Sequence, residues 1–142
     1  LRASPLAIPD DAFARGVARA RVPGRLQRIG TSPEVVVDVA HNPQGARELA
    51  RWLVANRKPT VAVFAALGDK DIEGVVAALA PHLDAWHLGP ITDAGPRGLP
   101  VGALGDRVAA GGAMQVAVHP TLPAALDAAR VAAGPAGRVL VF

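Results

Sequence analysis

The stretch "VVVDVAHNPQGARELA" (residues 35–50) carries a strand into a helix through one short turn. The run Val35 to Val37 is β-branched and apolar, which suits a buried strand. Asn42 suits a helix N-cap, and Pro43 suits the first helical position, where a missing N–H costs nothing. Beyond it, Ala46, Leu49, Ala50, Leu53 and Val54 fall at helical spacing and predict one apolar stripe. Gln44, Arg47, Glu48 and Arg51 take the opposite face. Between strand and helix stand Asp38, His41 and Asn42, three polar side chains in five residues.

The same hand-over recurs down the chain. "TVAVFAAL" (60–67) reads as a second buried strand, "GDKD" (68–71) as the loop after it, and Asp71 as the cap of a helix with the stripe Ile72, Val75, Val76, Leu79 and Ala80. "AWHLGP" (85–90) predicts a third strand, "ITDAGPRGLP" (91–100) a loop, and 101–110 a weaker helix. "MQVAVH" (114–119), "TLPAALDAARVAA" (121–133) and "RVLVF" (138–142) read as strand, helix and strand. Upstream, "PDDAFARGVARA" (9–20) predicts a short helix, Pro23-Gly24 a turn, and Leu26, Arg28 and Gly30 a short edge strand. Strand and helix alternate from residue 34 onward. That pattern predicts an α/β fold: a doubly wound, mostly parallel sheet with helices on both faces. Right-handed crossovers then gather every strand-to-helix loop at one edge.

Composition narrows the class. The 142 residues suffice for one domain with a core. Apolar residues make up 51% of the chain, yet none of their runs reaches the length of a membrane span, and the first residues lack the apolar region of a signal peptide. The chain has no cysteine, which removes disulfides and thiolate chemistry and fits a cytoplasmic setting. The formal charge is +3, from 15 basic and 12 acidic residues, and 13 of the basic residues are Arg. Arg15, Arg19, Arg21, Arg25 and Arg28 cluster and could meet the phosphates of a nucleotide or a nucleic acid. No aromatic residues interleave them to stack bases, so a nucleic-acid partner is not expected. The chain begins at Leu1 and stops at "GRVLVF", and it reads as a fragment of a longer protein.

In open α/β sheets, ligands sit beyond the carboxyl ends of the strands. Asp38 to His41, Gly68 to Asp71 and Asp93 to Arg97 all fall there. An acid at that edge can hold ribose hydroxyls, and Arg or Lys can hold phosphate or carboxylate. The chain contains no GxGxxG and no GxxxxGK[ST], so a nucleotide site here would complete one built elsewhere. Plainer readings stand beside these. Asp38 could cap its own turn, His41 could be a surface imidazole bonded to backbone, and Arg97 could be an ordinary loop arginine. "GDKD" could be a solvated turn with a helix cap. His82, His87 and His119 lack ligand spacing and read as structural or solvated, and Trp52 and Trp86 read as core or groove filler.

Four motifs in fixed order, "VPGRLQ" (22–27), "VVVDVAHNPQGA" (35–46), "GDKDI" (68–72) and "GPRGLP" (95–100), resemble one family. It is the C-terminal domain of bacterial bifunctional dihydrofolate synthase/folylpolyglutamate synthase, within the Mur ligase superfamily. The resemblance covers nearly the whole chain, and the Pro-Gly-Arg and Asp-x-Ala-His-Asn-Pro motifs are its specific part. It implies a Rossmann-like domain, residues 1–142, with residues 1–22 as a linker and helix leading in from an N-terminal P-loop ATPase domain. It implies an ATP- and Mg²⁺-dependent ligase that activates a carboxylate as an acyl phosphate and joins it to L-glutamate, with dihydropteroate or a reduced folate as acceptor. By motif, Arg25 resembles the arginine that reaches the ATP phosphates, and Asp38 resembles the acid that holds the ribose. His41 resembles the histidine near the reacting centre. Asn42 braces the turn, and Lys70 and Arg97 could face the glutamate carboxylates. The family's metal ligands lie in its N-terminal domain, so no metal is expected to be held within this one.

The P-loop domain, and a Gly-Ser-Phe-His-like turn expected after the last strand, are not in the chain. The 142-residue chain alone is therefore expected to be inactive. Two other readings remain open: a non-catalytic α/β ligand-binding or interaction domain, and the C-terminal domain of a cell-wall Mur ligase.

Overall fold

The computed structural model of the chain describes residues 9–19 and 22–142, with side chains for 9–16 and 22–142. It contains α1 (Asp10–Arg19), β1 (Gln27–Thr31), β2 (Glu34–Val37), α2 (Pro43–Ala55), β3 (Thr60–Phe64) and α3 (Ile72–Leu79). There follow β4 (Ala85–Leu88), α4 (Val101–Ala110), β5 (Val116–Val118), α5 (Leu122–Ala133) and β6 (Arg138–Val141). The strands form one sheet in the order β1-β2-β6-β3-β4-β5. All neighbours run parallel except β1, which turns back antiparallel on β2 with an irregularity between Arg28 and Gly30.

The order explains the layering. From β2 the chain passes through α2 to β3, through α3 to β4 and through α4 to β5, always moving the same way along the sheet. Right-handed crossovers therefore stack these three helices on one face. The last crossover reverses direction, from β5 back to β6, so α5 covers the opposite face. Two apolar cores result. The larger joins Val36, Ala62, Trp86 and Leu140 of the sheet to Leu49, Val76 and Leu104 of the three helices. The smaller packs Ala125 and Ala129 of α5 on Val35, Val61, Val63 and Val139. The alternating strand positions of these two sets follow from the period of 2.

The helix starts match their sequence signals. The Asn42 side chain accepts the Gly45 N–H at 2.8 Å with Pro43 in the first turn, and Asp71 accepts the Gly74 N–H at 2.9 Å. Thr121 caps α5 in the same way. Several boundaries differ from expectation. The strand expected over 60–67 ends at Phe64. The one expected over 114–119 shrinks to three residues and starts only after Gln115, whose positive φ of 51° a strand does not allow. Val54, placed by spacing on the buried stripe of α2, is exposed at its last turn.

Trp86 is fully buried against Phe64 and Phe142, as a core residue should be. At the amino edge of the sheet a buried ion network ties strands together. Arg138 Nε donates to Glu34 Oε2 at 2.8 Å, Arg28 meets the other Glu34 oxygen at 2.6 Å, and the Arg138 guanidinium lies 4.5 Å over the Trp52 ring. No helix among the described residues is long and apolar enough to cross a membrane.

Candidate functional site

Asp38 leaves the end of β2, and backbone donors on both sides of it in the chain hold its carboxylate. Its Oδ1 accepts the Ala40 N–H at 2.8 Å, which closes the turn toward α2. Its Oδ2 accepts the Leu26 N–H at 2.9 Å, twelve residues upstream. The first bond is the local cap that the plainer reading of Asp38 describes. The second is a long-range tether that draws the "PGRL" turn onto the sheet edge. A carboxylate has about four acceptor sites, so two donors leave room for further hydroxyls.

The tethered turn is tight. Gly24 has φ +72°, and a Cβ there would stand 2.9 Å from Val39 Cγ1, so only glycine fits. Leu26 itself sits at φ +44°, a position that its bond to Asp38 holds. Gly24 N–H also donates to Gln27 Oε1 at 2.9 Å. This turn presents Arg25 beside Asp38.

His41 lies just before the α2 cap. Its Nδ1 is 2.9 Å from the Val39 carbonyl. A carbonyl only accepts, so Nδ1 donates in this contact and Nε2 takes no part in it. Arg25, Asp38, His41 and Asn42 all line one cleft of about 440 Å³, together with Gln44 and Gly45 of the first turn of α2. The cleft lies at the carboxyl edge of β2, with the positive end of the α2 dipole in its wall. Glu48 closes its far side and is bonded to Arg51.

His41 also lines a second cavity of about 300 Å³, which it shares with Lys70 and with apolar residues that include Phe64, Ile72 and Ile91. Lys70 therefore shares a cavity with His41, from the loop after β3, with its Nζ 3.5 Å from Asp69. Arg97 lines neither space. It is exposed on a 3₁₀ turn (Gly95–Arg97), and its carbonyl accepts the Gly68 N–H at 2.9 Å, which joins the two loops by backbone.

Other expected features part company. Of the basic cluster, Arg15 pairs with Asp11 at 2.6 Å and Arg28 with Glu34, and neither lines the cleft. Arg21 and the side chain of Arg19 lie outside the described residues. Of the described members of this group, Arg25 alone faces the cleft, because β1 carries Arg28 toward the opposite edge. His87 and His119 prove structural: their rings stack, with Nδ1 and Nε2 2.9 Å apart. Burial and the neighbouring His119 push the His87 pKa down.

One residue had no local signal at all. Arg107 of α4 donates to both oxygens of Glu73 at 2.6 Å and to the carbonyls of Gly68 and Lys70 at 3.1 and 3.0 Å. Its partners lie 34 to 39 residues away and meet it only through the fold. Among the described residues, no three His, Asp or Glu side chains converge as a metal cage would require.

Residues 24–142 match the family model of the Mur ligase, glutamate ligase domain. The chain is 43% identical over 100 residues to the dihydrofolate synthase/folylpolyglutamate synthase of Escherichia coli, which covers 69% of this chain and 23% of that enzyme. It is 42% identical over 96 residues to the enzyme of the same description from Mycobacterium tuberculosis, covering 66% of this chain and 19% of that one. A solved structure of E. coli FolC in complex with ADP superposes with a TM-score of 0.86 at 36% identity, over 99% of this chain and 33% of that one. The chain thus spans between about a fifth and a third of the length of these relatives. With the family model matched from the "PGR" turn to the last residue, the chain belongs to the glutamate ligase domain family of the Mur ligases.

Proposed function

We propose that this chain is the C-terminal domain of an ATP-dependent ligase that adds L-glutamate to dihydropteroate and to reduced folates, acting in the cytoplasm. The observation that carries the reading is the convergence of Arg25, Asp38 and His41 on one cleft at the carboxyl edge of the sheet. The folate substrates are inferred from the relatives' names, and nucleotide binding from the ADP complex of the E. coli protein. In this reading residues 1–22 lead in from an N-terminal P-loop ATPase domain, and the cleft closes over a nucleotide which that domain grips.

Each residue has a part that its surroundings support. Arg25 extends a planar, permanently charged fork to phosphate oxygens and stabilises negative charge that develops there. Asp38, held by two backbone donors, keeps acceptor capacity for ribose hydroxyls. His41 offers Nε2 to an N–H or O–H near the reacting centre, where the glutamate amine meets an activated acyl group. Asn42 fixes the turn that aims His41. Lys70, in the second cavity, and Arg97, tied to its loop, supply positive charge for the glutamate carboxylates. A Mg²⁺ ion that accompanied ATP would neutralise phosphate charge, and its ligands would come from outside the described residues.

The 142-residue chain alone, lacking a phosphate cradle, is expected not to form the amide. The test is steady-state kinetics on the full-length enzyme with Arg25→Ala and Asp38→Ala. Arg25→Ala should chiefly lower kcat, and Asp38→Ala should chiefly raise the KM for ATP while the KM for folate stays near wild type. Wild-type kinetics in both variants would refute the assignment.

A further inference from the structure

The loop after β3 carries Lys70 and is held from one side by a single guanidinium. Arg107 rises from the last turn of α4 with its side chain 28% exposed. Nε and one terminal nitrogen grip the two Glu73 oxygens in a bidentate pair, 2.6 Å each. The same terminal nitrogen reaches the Lys70 carbonyl at 3.0 Å, and the other reaches the Gly68 carbonyl at 3.1 Å. Gly68 in turn donates its N–H to the Arg97 carbonyl. One fork thus fixes four points: the start of α3 through Glu73, both ends of the Gly68–Lys70 segment, and through Gly68 the turn that bears Arg97.

Only arginine can do this. A lysine ammonium lacks the planar, multi-donor geometry needed to serve two carboxylate oxygens and two carbonyls together. The hydrogen bonds from Arg107 hold the Glu73 carboxyl down at about 2, so the pair stays ionised across the physiological range. Apart from Arg107, the Lys70 backbone has only short-range bonds. Its N–H donates to the Leu67 carbonyl at 3.1 Å, its carbonyl accepts the Ile72 N–H at 3.0 Å, and its Nζ faces Asp69 of the same loop.

We propose that Arg107 is a positioning residue for glutamate recognition: by clamping the Gly68–Lys70 loop and, through it, the Arg97 turn, it sets where the two cations Lys70 and Arg97 stand. This rests on the proposed reading that those cations receive the glutamate carboxylates. Arg107 touches no substrate. It acts by sparing the enzyme the ordering of a loop when glutamate binds.

The test uses full-length enzyme and a double-mutant cycle of Arg107→Lys with Lys70→Ala or Arg97→Ala, with the KM for glutamate, the KM for ATP, kcat and the thermal midpoint read for each. Lys70→Ala alone and Arg97→Ala alone examine the underlying reading: at least one must raise the glutamate KM, and no change in either overturns both reading and proposal. Arg107→Lys should raise the glutamate KM about tenfold, the size of one lost charge-assisted hydrogen bond, with the ATP KM within about twofold of wild type. In the background of whichever single variant raises the glutamate KM, Lys70→Ala or Arg97→Ala, the same change should cost clearly less than in wild type, because one of the two side chains through which Arg107 acts is already removed. If that single variant raises the glutamate KM while Arg107→Lys leaves it unchanged, or if the two losses multiply, the proposal is wrong. Glu73→Gln, which weakens the clamp without touching either carbonyl contact, is the second variant should Arg107→Lys fold poorly. It should raise the glutamate KM in the same direction, and an unchanged value would overturn the clamp.

Discussion

Asp38 Oδ2 accepts the Leu26 N–H at 2.9 Å, and this bond couples the arginine-bearing turn before β1 to the strand-to-helix junction that carries His41. The acid therefore has two tasks, one inside the protein and one toward the ligand. Removing it should show both. Asp38→Ala leaves the Leu26 and Ala40 donors without their acceptor and should lower stability by about 1–3 kcal/mol, as seen in thermal unfolding. In full-length enzyme it should also raise the KM for ATP more than that for folate.

Gly24→Ala tests the turn without touching a ligand group. Its positive φ and the Val39 side chain together oppose a Cβ. The expected cost is about 1–3 kcal/mol in unfolding experiments. Because the strain moves the neighbouring Arg25, kcat should fall as well, while the KM for glutamate holds.

Glu34→Ala should separate stability from catalysis. It strands Arg138, whose side chain is 5% exposed, without its carboxylate, at a cost of about 3–5 kcal/mol. At a temperature where the variant remains folded, kcat and both KM values should match wild type, since the network lies at the amino edge. A pH series adds a sign. Burial pushes the Glu34 pKa up from its ordinary 4.5, but the hydrogen bond and charge of Arg138, with Arg28 and Lys58, outweigh it and leave the group below that value. The unfolded chain then binds more protons in the window beneath 4.5. The stability Glu34 contributes is thus full above 4.5 and drains as pH falls through the folded value. The difference between wild type and Glu34→Gln in urea titrations should shrink over that window.

His41→Ala should lower kcat for amide formation by about 10²-fold, with the ATP KM little changed. His41→Asn, which can keep a short side-chain acceptor near the same place, should recover part of the loss. Equal losses in both variants would argue that the ring only fills space.

Much of this was legible in the chain itself. β-branched apolar runs and the helical period of 3.6 report burial along one element at a time, and they located every strand and helix that lines the site, as well as the bounds of α4. The "DVAHNP" junction showed where polar groups meet a sheet edge. What periodicity does not carry is partnership across the sequence. Arg28 read as one of five clustered arginines, yet β1 delivers it to Glu34. Arg138 and Glu34 are 104 positions apart and meet because β6 inserts between β2 and β3. Arg107 looked like any helix arginine, and only the packing of α4 on α3 gives it Glu73 and two carbonyls. The positive φ at Leu26 has no signature in a leucine. These are consequences of topology, and topology here turns on the single reversal that sends α5 back across the sheet.

In the proposed function this domain lends a guanidinium to a nucleotide site that another domain completes. The decisive quantity is the turnover number of full-length enzyme carrying Arg25→Ala, with saturating ATP, folate acceptor and glutamate. A fall in kcat of about 10²–10³-fold, with the thermal midpoint unchanged, is predicted for the loss of one donor aimed at developing charge. Turnover at the wild-type rate would mean that Arg25 reaches no phosphate and that the cleft serves some other end.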